Sequence, residues 1–230
     1  MNNPPIVDVI IPAYNEEKSI PKVIGEIPGF VRHIVVANNN STDQTGEVAK
    51  AAGAIVVFEP QKGYGKACLT AMDWIKAQEI QPDIVVFLDG DYSDYPEEMR
   101  DLVKPIVDGK AEMVIGSRAL GMREKGSMTL PQVFGNWLAT TMMKYMQGAK
   151  FSDLGPFRAI VWKRLLDLNM VDQNFGWTIE MQIKAHKAGL RYTEVPVNYR
   201  KRIGVSKVSG TIKGVIGAGY KIIFTIFKYW

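Results

Sequence analysis

Asp89 and Asp91 stand on either side of one glycine, in the run Phe87-Leu88-Asp89-Gly90-Asp91 that closes an apolar stretch. Alternate residues of an extended segment project to the same side, so the two carboxylates can converge on one hard divalent cation, which takes oxygen ligands and bound phosphate. That is the outline of a metal-diphosphate site. The same tripeptide also makes an ordinary turn, so its surroundings have to decide. Three further polar clusters follow directly on apolar runs: Pro12-Ala13-Tyr14-Asn15-Glu16, Asn38-Asn39-Asn40-Ser41 and Gly116-Ser117-Arg118. Taken singly, Asn15 and Ser41 read as helix caps and Arg118 as a surface charge. Gathered on one sheet edge, the four clusters read as a site. The segment Gln61-Lys62-Gly63-Tyr64-Gly65-Lys66-Ala67-Cys68 invites a dinucleotide fingerprint but has Cys68 in place of the third glycine, and it lacks the phosphate-loop pattern. It reads as a flexible loop beside a nucleotide, with Lys66 near phosphate, or as a plain connector.

Positioning these clusters requires a framework of alternating elements. Val7 to Ile11, Ile34 to Ala37, Ala54 to Phe58, Ile84 to Leu88 and Met113 to Gly116 are short and rich in β-branched residues, as strands covered on both faces are. Between them, Glu16 to Ile27, Thr42 to Ala52, Gly65 to Gln78 and Pro96 to Val107 have helical patterning. Ser41 and Gln44 stand at capping-box spacing, and Gly53 follows the end of the same helix. The pattern predicts an α/β fold, a mainly parallel doubly wound sheet with function at the carboxyl ends of its strands. Beyond Arg118 come a Gly, Met and Lys-rich connector, a helix over Gln132 to Gln147, a strand at Phe157 to Val161, a helix over Thr178 to Ala188 ended by Gly189, and a strand at Tyr192 to Tyr199.

The 230 residues carry 28 basic and 24 acidic side chains, a formal charge of +4, too small to argue for nucleic-acid binding. No nucleic acid is expected as a partner. One cysteine, Cys68, excludes an internal disulfide and a thiolate metal cluster, which points to a reducing compartment. The first residues lack the basic and apolar regions of a signal peptide, and a cytoplasmic address is expected.

The ordered set of motifs resembles the family 2 glycosyltransferases of A-type fold, and within them the polyprenyl-phosphate (dolichol-phosphate) sugar transferases. The resemblance runs through Val9-Ile10-Ile11-Pro12-Ala13-Tyr14-Asn15-Glu16, Asn40-Ser41-Thr42-Asp43, Asp89-Gly90-Asp91, Gly116-Ser117-Arg118, Asp153-Leu154-Gly155-Pro156-Phe157-Arg158 and Arg202-Ile203-Gly204-Val205-Ser206-Lys207. It implies a hexosyltransferase that inverts the sugar linkage. Pro12, Tyr14, Glu16, Asn39, Lys66, Gly90 and Arg118 would surround a nucleoside diphosphate sugar, with Asp89 and Asp91 holding Mg²⁺ or Mn²⁺ against its diphosphate. Arg118, Arg158, Arg202, Ser206 and Lys207 would bind donor or acceptor phosphate. Negative charge develops on the leaving diphosphate, and a metal with guanidinium groups stabilises it there. Two departures stand out. Asn38-Asn39 replaces a pair of Asp found in many relatives, which leaves UDP and GDP both open, because an amide donates as well as accepts. Pro156 stands where glycine is common and stiffens the approach to Arg158.

A lipid phosphate is largely ionised at neutral pH and needs no strong base, since its second pKa is near ~6. A hydroxyl acceptor needs a carboxylate to take its proton, and Asp153 and Glu180 are the candidates for that catalytic role. Two stretches bear on a lipid. Phe134, Trp137, Leu138, Thr141, Met142, Tyr145 and Met146 recur at helical spacing, either as a lipid-facing stripe or as core. In the tail, Ile212, Val215, Ile216, Gly219, Ile223, Ile226, Phe227 and Trp230 are interrupted by Lys213, Lys221 and Lys228 on one side. Charges at that rhythm argue against a membrane span and for a helix lying in the interface. The expectation is a catalytic unit over residues 1–207 and an amphipathic extension over 208–230, peripheral on the inner face of the cell membrane, with a polyprenyl phosphate as lipid partner. The rival readings are the same fold acting on a soluble or glycan hydroxyl, and a catalytically silent sugar-nucleotide-binding scaffold.

Overall fold

A computed structural model describes residues 4–204 and 212–230, except for the side chains at 212, 213 and 215. The strands are β1 (Val7–Ala13), β2 (Val31–Asn38), β3 (Ile55–Phe58), β4 (Ile84–Phe87), β5 (Met113–Ser117), β6 (Arg158–Val161) and β7 (Tyr192–Pro196). The helices are α1 (Ile20–Glu26), α2 (Thr45–Ala51), α3 (Tyr64–Lys76), α4 (Met99–Val107), α5 (Leu130–Gln147), α6 (Trp162–Asp167), α7 (Trp177–Lys187) and α8 (Ile212–Lys228). One sheet carries the strands in the order β3-β2-β1-β4-β6-β5-β7. All pairings are parallel except those of β6, which runs against β4 and β5. The α/β, mainly parallel fold is therefore the one the apolar runs imply.

Direction decides what the sheet presents. β1, β2, β4, β5 and β7 all end at the same edge, so the clusters that follow them meet there. The antiparallel β6 begins at that edge, with Arg158 paired in register to Phe87 of β4, and so delivers residues 153–158 to it as well. Successive side chains of a strand pack on opposite faces. Ile10 and Phe87 join one apolar layer with α3, α5, α6, α7 and Ile226 of α8. Val9, Ile11 and Leu88 join the other with α1, α2 and α4.

Several boundaries move from the sequence reading for local reasons. α1 starts at Ile20 rather than Glu16, because Asn15 takes a left-handed backbone (φ 55°) and the Glu16 carbonyl closes a turn on the N–H groups of Ser19 and Ile20. The capping box expected from Ser41 and Gln44 does not form. Ser41 Oγ accepts instead from the Asn15 N–H, and Gln44 caps α2 without a side-chain bond. Gly53 does end that helix, at φ 96°. β7 stops at Pro196, which has no N–H for the ladder, and Tyr199 makes isolated bridges to Asp94 and Arg123. α5 begins two residues early because Thr129 and Gln132 form a reciprocal capping box, and it ends at Gly148 in the left-handed region.

α8 packs on α5 and α7. Its Thr225 and Ile226 are buried, Gln147 donates to the Ile226 carbonyl, and Lys221 turns inward to pair with Asp172 at 2.8 Å. The lysines therefore do not share one solvent face. Ile216, Tyr220, Phe224, Phe227 and Trp230 face outward instead. The expected junction at 207–208 lies outside the described residues.

Candidate active site

The carboxylate pair sits where β4 ends. Between them stands Gly90, where a Cβ would press on the Ile20 and Ile11 side chains. A glycine thus lets the loop lie flat on the apolar layer while both acids turn to the polar edge. Asp91 is buried; its Oδ1 accepts from the Ser93 N–H at 2.9 Å and from the Ser93 hydroxyl, while its Oδ2 meets Arg202 Nη1 at 2.8 Å. Asp89 Oδ1 accepts from Tyr64 Oη at 3.1 Å, and among the described residues its Oδ2 accepts no hydrogen bond. Burial, and then the charge of Asp91, push the Asp89 carboxyl above its ordinary range, with Arg202 and Arg118 opposing.

Two carboxylates that repel one another, with one guanidinium paired to Asp91, leave uncompensated negative charge that suits a divalent cation. No third carboxylate, histidine or cysteine joins them in a metal-binding group among the described residues. Two acids with open positions are the donor set of an ion that completes its shell with water and substrate phosphate oxygens. Asp89 and Asp91 are the residues that could hold it.

Arg118 follows β5 and is locked to Asp153. Its Nε and Nη2 donate to the two carboxylate oxygens at 2.9 and 2.7 Å, and its N–H adds a third bond at 2.7 Å. Burial alone would raise the Asp153 carboxyl, but Arg118 more than reverses this and holds it below the usual carboxylate range. Gly155 fits tightly here, since a Cβ would meet the Gly116 carbonyl. The Arg118 guanidinium also lies over the Tyr199 ring at 5.0 Å. Arg158, fully enclosed, donates to the carbonyls of Leu154, Gly155 and Thr178, so it braces the 153–158 turn; burial lowers its pKa to about 10.

Asp94 was not singled out from the sequence. It is 2% exposed, and neither carboxylate oxygen has a hydrogen-bond partner. Burial, then Asp89 and Asp91, push it well above the ordinary range. Tyr64 was likewise passed over, although its place between two glycines is the signal that could have found it. Gly63 and Gly65 have no room for a Cβ because the carbonyls of Gln173 and Asp172 press on them. The glycines thus serve protein contact rather than phosphate approach, and Lys66 pairs with Glu59 at 3.8 Å instead of facing the acids.

The expected nucleoside pocket has mixed placement. Tyr14 and Pro12 are partly exposed, and Lys62 Nζ sits on the Tyr14 hydroxyl at 3.0 Å and over its ring. Asn39 is buried and spends its amide on the loop: it donates to the Gln61 carbonyl at 2.6 Å and accepts from the Gly63 N–H at 2.8 Å. Glu16 accepts from the Ser19 hydroxyl. Glu180, fully buried, accepts from the N–H groups of Val171 and Asp172, from Lys184 and from Tyr229, so it is tied into the α7–α8 packing and not gathered with the aspartates. Ser206 and Lys207 lie outside the described residues.

The model of the family described as Glycosyl transferase family 2 matches residues 8–168, which contain every strand end described above except that of β7. The chain belongs to glycosyl transferase family 2. An uncharacterised glycosyltransferase of Mycobacterium tuberculosis is 35% identical over 213 residues, covering 91% of this chain and 93% of that protein. A dolichyl-phosphate hexose transferase of Haloferax volcanii is 29% identical over 205 residues, covering 87% and 85%. In three dimensions, a glucosyl-3-phosphoglycerate synthase from M. tuberculosis, solved with Mn²⁺, UDP and glucosyl-3-phosphoglycerate, matches with a TM-score of 0.75 over 98% of this chain and 80% of that one, at 21% identity. This family 2 member therefore has the A-type fold, and it is a glycosyltransferase.

Proposed function

We propose that the protein transfers a hexose, with inversion, from a nucleoside diphosphate sugar to a polyprenyl phosphate at a membrane surface. The observation that carries the acceptor assignment is the apolar face on two packed helices. On α5, Leu130, Phe134, Trp137 and Tyr145 are 58–85% exposed, and on α8 and just beyond its end Ile216, Tyr220, Phe224, Phe227 and Trp230 are 47–73% exposed. Aromatic and aliphatic side chains concentrated on adjacent exposed faces suit the headgroup boundary of a bilayer. No described helix is long and apolar enough to cross a membrane, so contact would be peripheral. The dolichyl-phosphate relative supports the same acceptor class.

The electrostatics favour an acceptor that is already ionised. Asp153 is bound by Arg118 and has a depressed proton affinity, and Glu180 is enclosed by four donors, so neither candidate base is at liberty to take a hydroxyl proton. Asp89 and Asp91 would hold Mg²⁺ or Mn²⁺, which neutralises charge on the departing diphosphate. Arg202, now paired with Asp91, and Arg118, fixed by Asp153, place guanidinium charge at the same edge, where Arg202 would offer its planar fork to phosphate once a cation took its place on Asp91. In this reading residues 1–207 form the catalytic unit and 208–230 add the lipid-facing helix, on the inner face of the cell membrane. Turnover measured on a panel of UDP and GDP sugars with Mn²⁺, with and without a short polyprenyl phosphate, tests it. Product is expected only in the arms with the lipid phosphate; transfer to a soluble hydroxyl with none to the lipid would reject the reading.

A further inference from the structure

We propose that Tyr229, Lys221 and Glu180 are positioning residues for Asp89, acting through residues 171–174 and Tyr64, so that the docking of α8 sets how well the carboxylate pair binds a divalent cation. The proposal rests on the reading of Asp89 and Asp91 as cation ligands. It begins at α8 and the residue that follows it, where Tyr229 Oη donates to Glu180 at 2.7 Å and Lys221 pairs with Asp172 at 2.8 Å. Glu180 holds the next segment directly, accepting from the Asp172 N–H at 2.7 Å and the Val171 N–H at 3.1 Å. Asp172 Oδ1 in turn accepts from the N–H groups of Asn174 and Gly176, which closes the segment on itself. Both ends of the link to α8 therefore converge on four residues.

Those residues press on the start of α3. The Gln173 carbonyl accepts from the Lys66 N–H at 2.9 Å, and the carbonyls of Asp172 and Gln173 fill the space where Gly65 and Gly63 would carry a Cβ. Tyr64 lies between these two contacts, so its backbone position follows the 171–174 segment. Its hydroxyl reaches Asp89 Oδ1 at 3.1 Å. A shift of α8 is thus transmitted by packed backbone, without slack, to a donor that orients one cation ligand. The same helix carries the outward aromatic face, so lipid contact and cation affinity share a structural part. Coupling of this kind is established only by a cycle of substitutions.

The experiment titrates Mn²⁺ alone into the full chain by calorimetry, for the wild type, Tyr229→Phe, Lys221→Met, Tyr64→Phe and Tyr64→Phe/Tyr229→Phe, with circular dichroism confirming the fold. One hydrogen bond has a net worth of about 0.5–1.5 kcal/mol, so the Mn²⁺ dissociation constant should rise about 2- to 13-fold in each single variant. The double variant should be no weaker than the weaker single, because both changes act along one route. A purely structural clasp would lower thermal stability and leave Mn²⁺ affinity at the wild-type value in Tyr229→Phe and Lys221→Met, and that result overturns the proposal, as does additivity in the double variant. Asp89→Asn separates the underlying reading: wild-type protein that binds no Mn²⁺, or Asp89→Asn that binds as well as wild type, rejects the cation site and the relay together.

Discussion

Replacing Asp153 by Asn removes one charge from a pair whose side chains are 1% and 11% exposed, and keeps the shape. The two charge-assisted bonds to Arg118 and the bond from its N–H are weakened at once, and the guanidinium stays in a buried place without a counter-ion. Breaking a buried pair from one side costs about 3–5 kcal/mol, which at this chain length corresponds to a fall in melting temperature of about 6–20 °C. The pH dependence gives a second handle. Because the folded Asp153 carboxyl is depressed, its contribution is present above the unfolded value near ~4 and is lost as pH falls through the folded value, so the gap between variant and wild type narrows in acid. Calorimetric melts from pH 7 down to pH 3 measure both effects. An unchanged melting temperature at pH 7 would refute the assignment of Asp153 as the partner that fixes Arg118.

Asp94 behaves in the opposite sense. It ionises near pH ~4 in the unfolded chain but keeps its proton to higher pH when folded, so wild-type stability falls as pH rises across that interval, and Asp94→Asn escapes the loss. Denaturant titrations should find the stability difference shift in favour of Asp94→Asn as pH rises from about 4 to 8, with no advantage below pH 4. Asp91→Asn should lower turnover by about 10²- to 10³-fold, with chelator reproducing the loss reversibly in the wild type. Phe134→Ser/Trp137→Ser should weaken flotation on anionic vesicles at least about 10-fold with donor binding retained, since the proposed bilayer contact would lose two exposed aromatic side chains.

The elements that carry strong patterning were legible in the chain. The β-branched runs before Pro12, Asn38, Asp89 and Ser117 placed their strand ends to within two residues, because buried parallel strands are apolar on both faces. Strand direction was not legible: nothing in Arg158 to Val161 says that β6 runs antiparallel, yet that reversal brings Arg158 and Asp153 to the site edge. α6 went unread because it follows β6 without a turn residue and is only six residues long, shorter than a helical period needs to declare itself. The paired acids were recognisable from spacing. Their supports were not, since Tyr64 reaches Asp89, and Arg202 reaches Asp91, across gaps of sequence that only the packed chain closes. Periodicity identified the stripe of α5, but the structure splits it: Phe134, Trp137 and Tyr145 turn outward, while Met142 and Met146 pack on the core. Glu180 shows the converse limit: an acid at a suggestive place is committed to Tyr229 and Lys184.

The most direct measurement compares two acceptors that differ only in their head: a short polyprenyl phosphate and the matching polyprenol, each supplied with the preferred sugar nucleotide and Mn²⁺. Rapid product formation on the phosphate and none on the alcohol is the result the proposed function predicts, because Arg118 and Arg202 stand at the carboxylate edge for an ionised acceptor while Asp153 and Glu180 are already bound by their own partners. Equal rates on both, or transfer to the alcohol alone, would contradict the account.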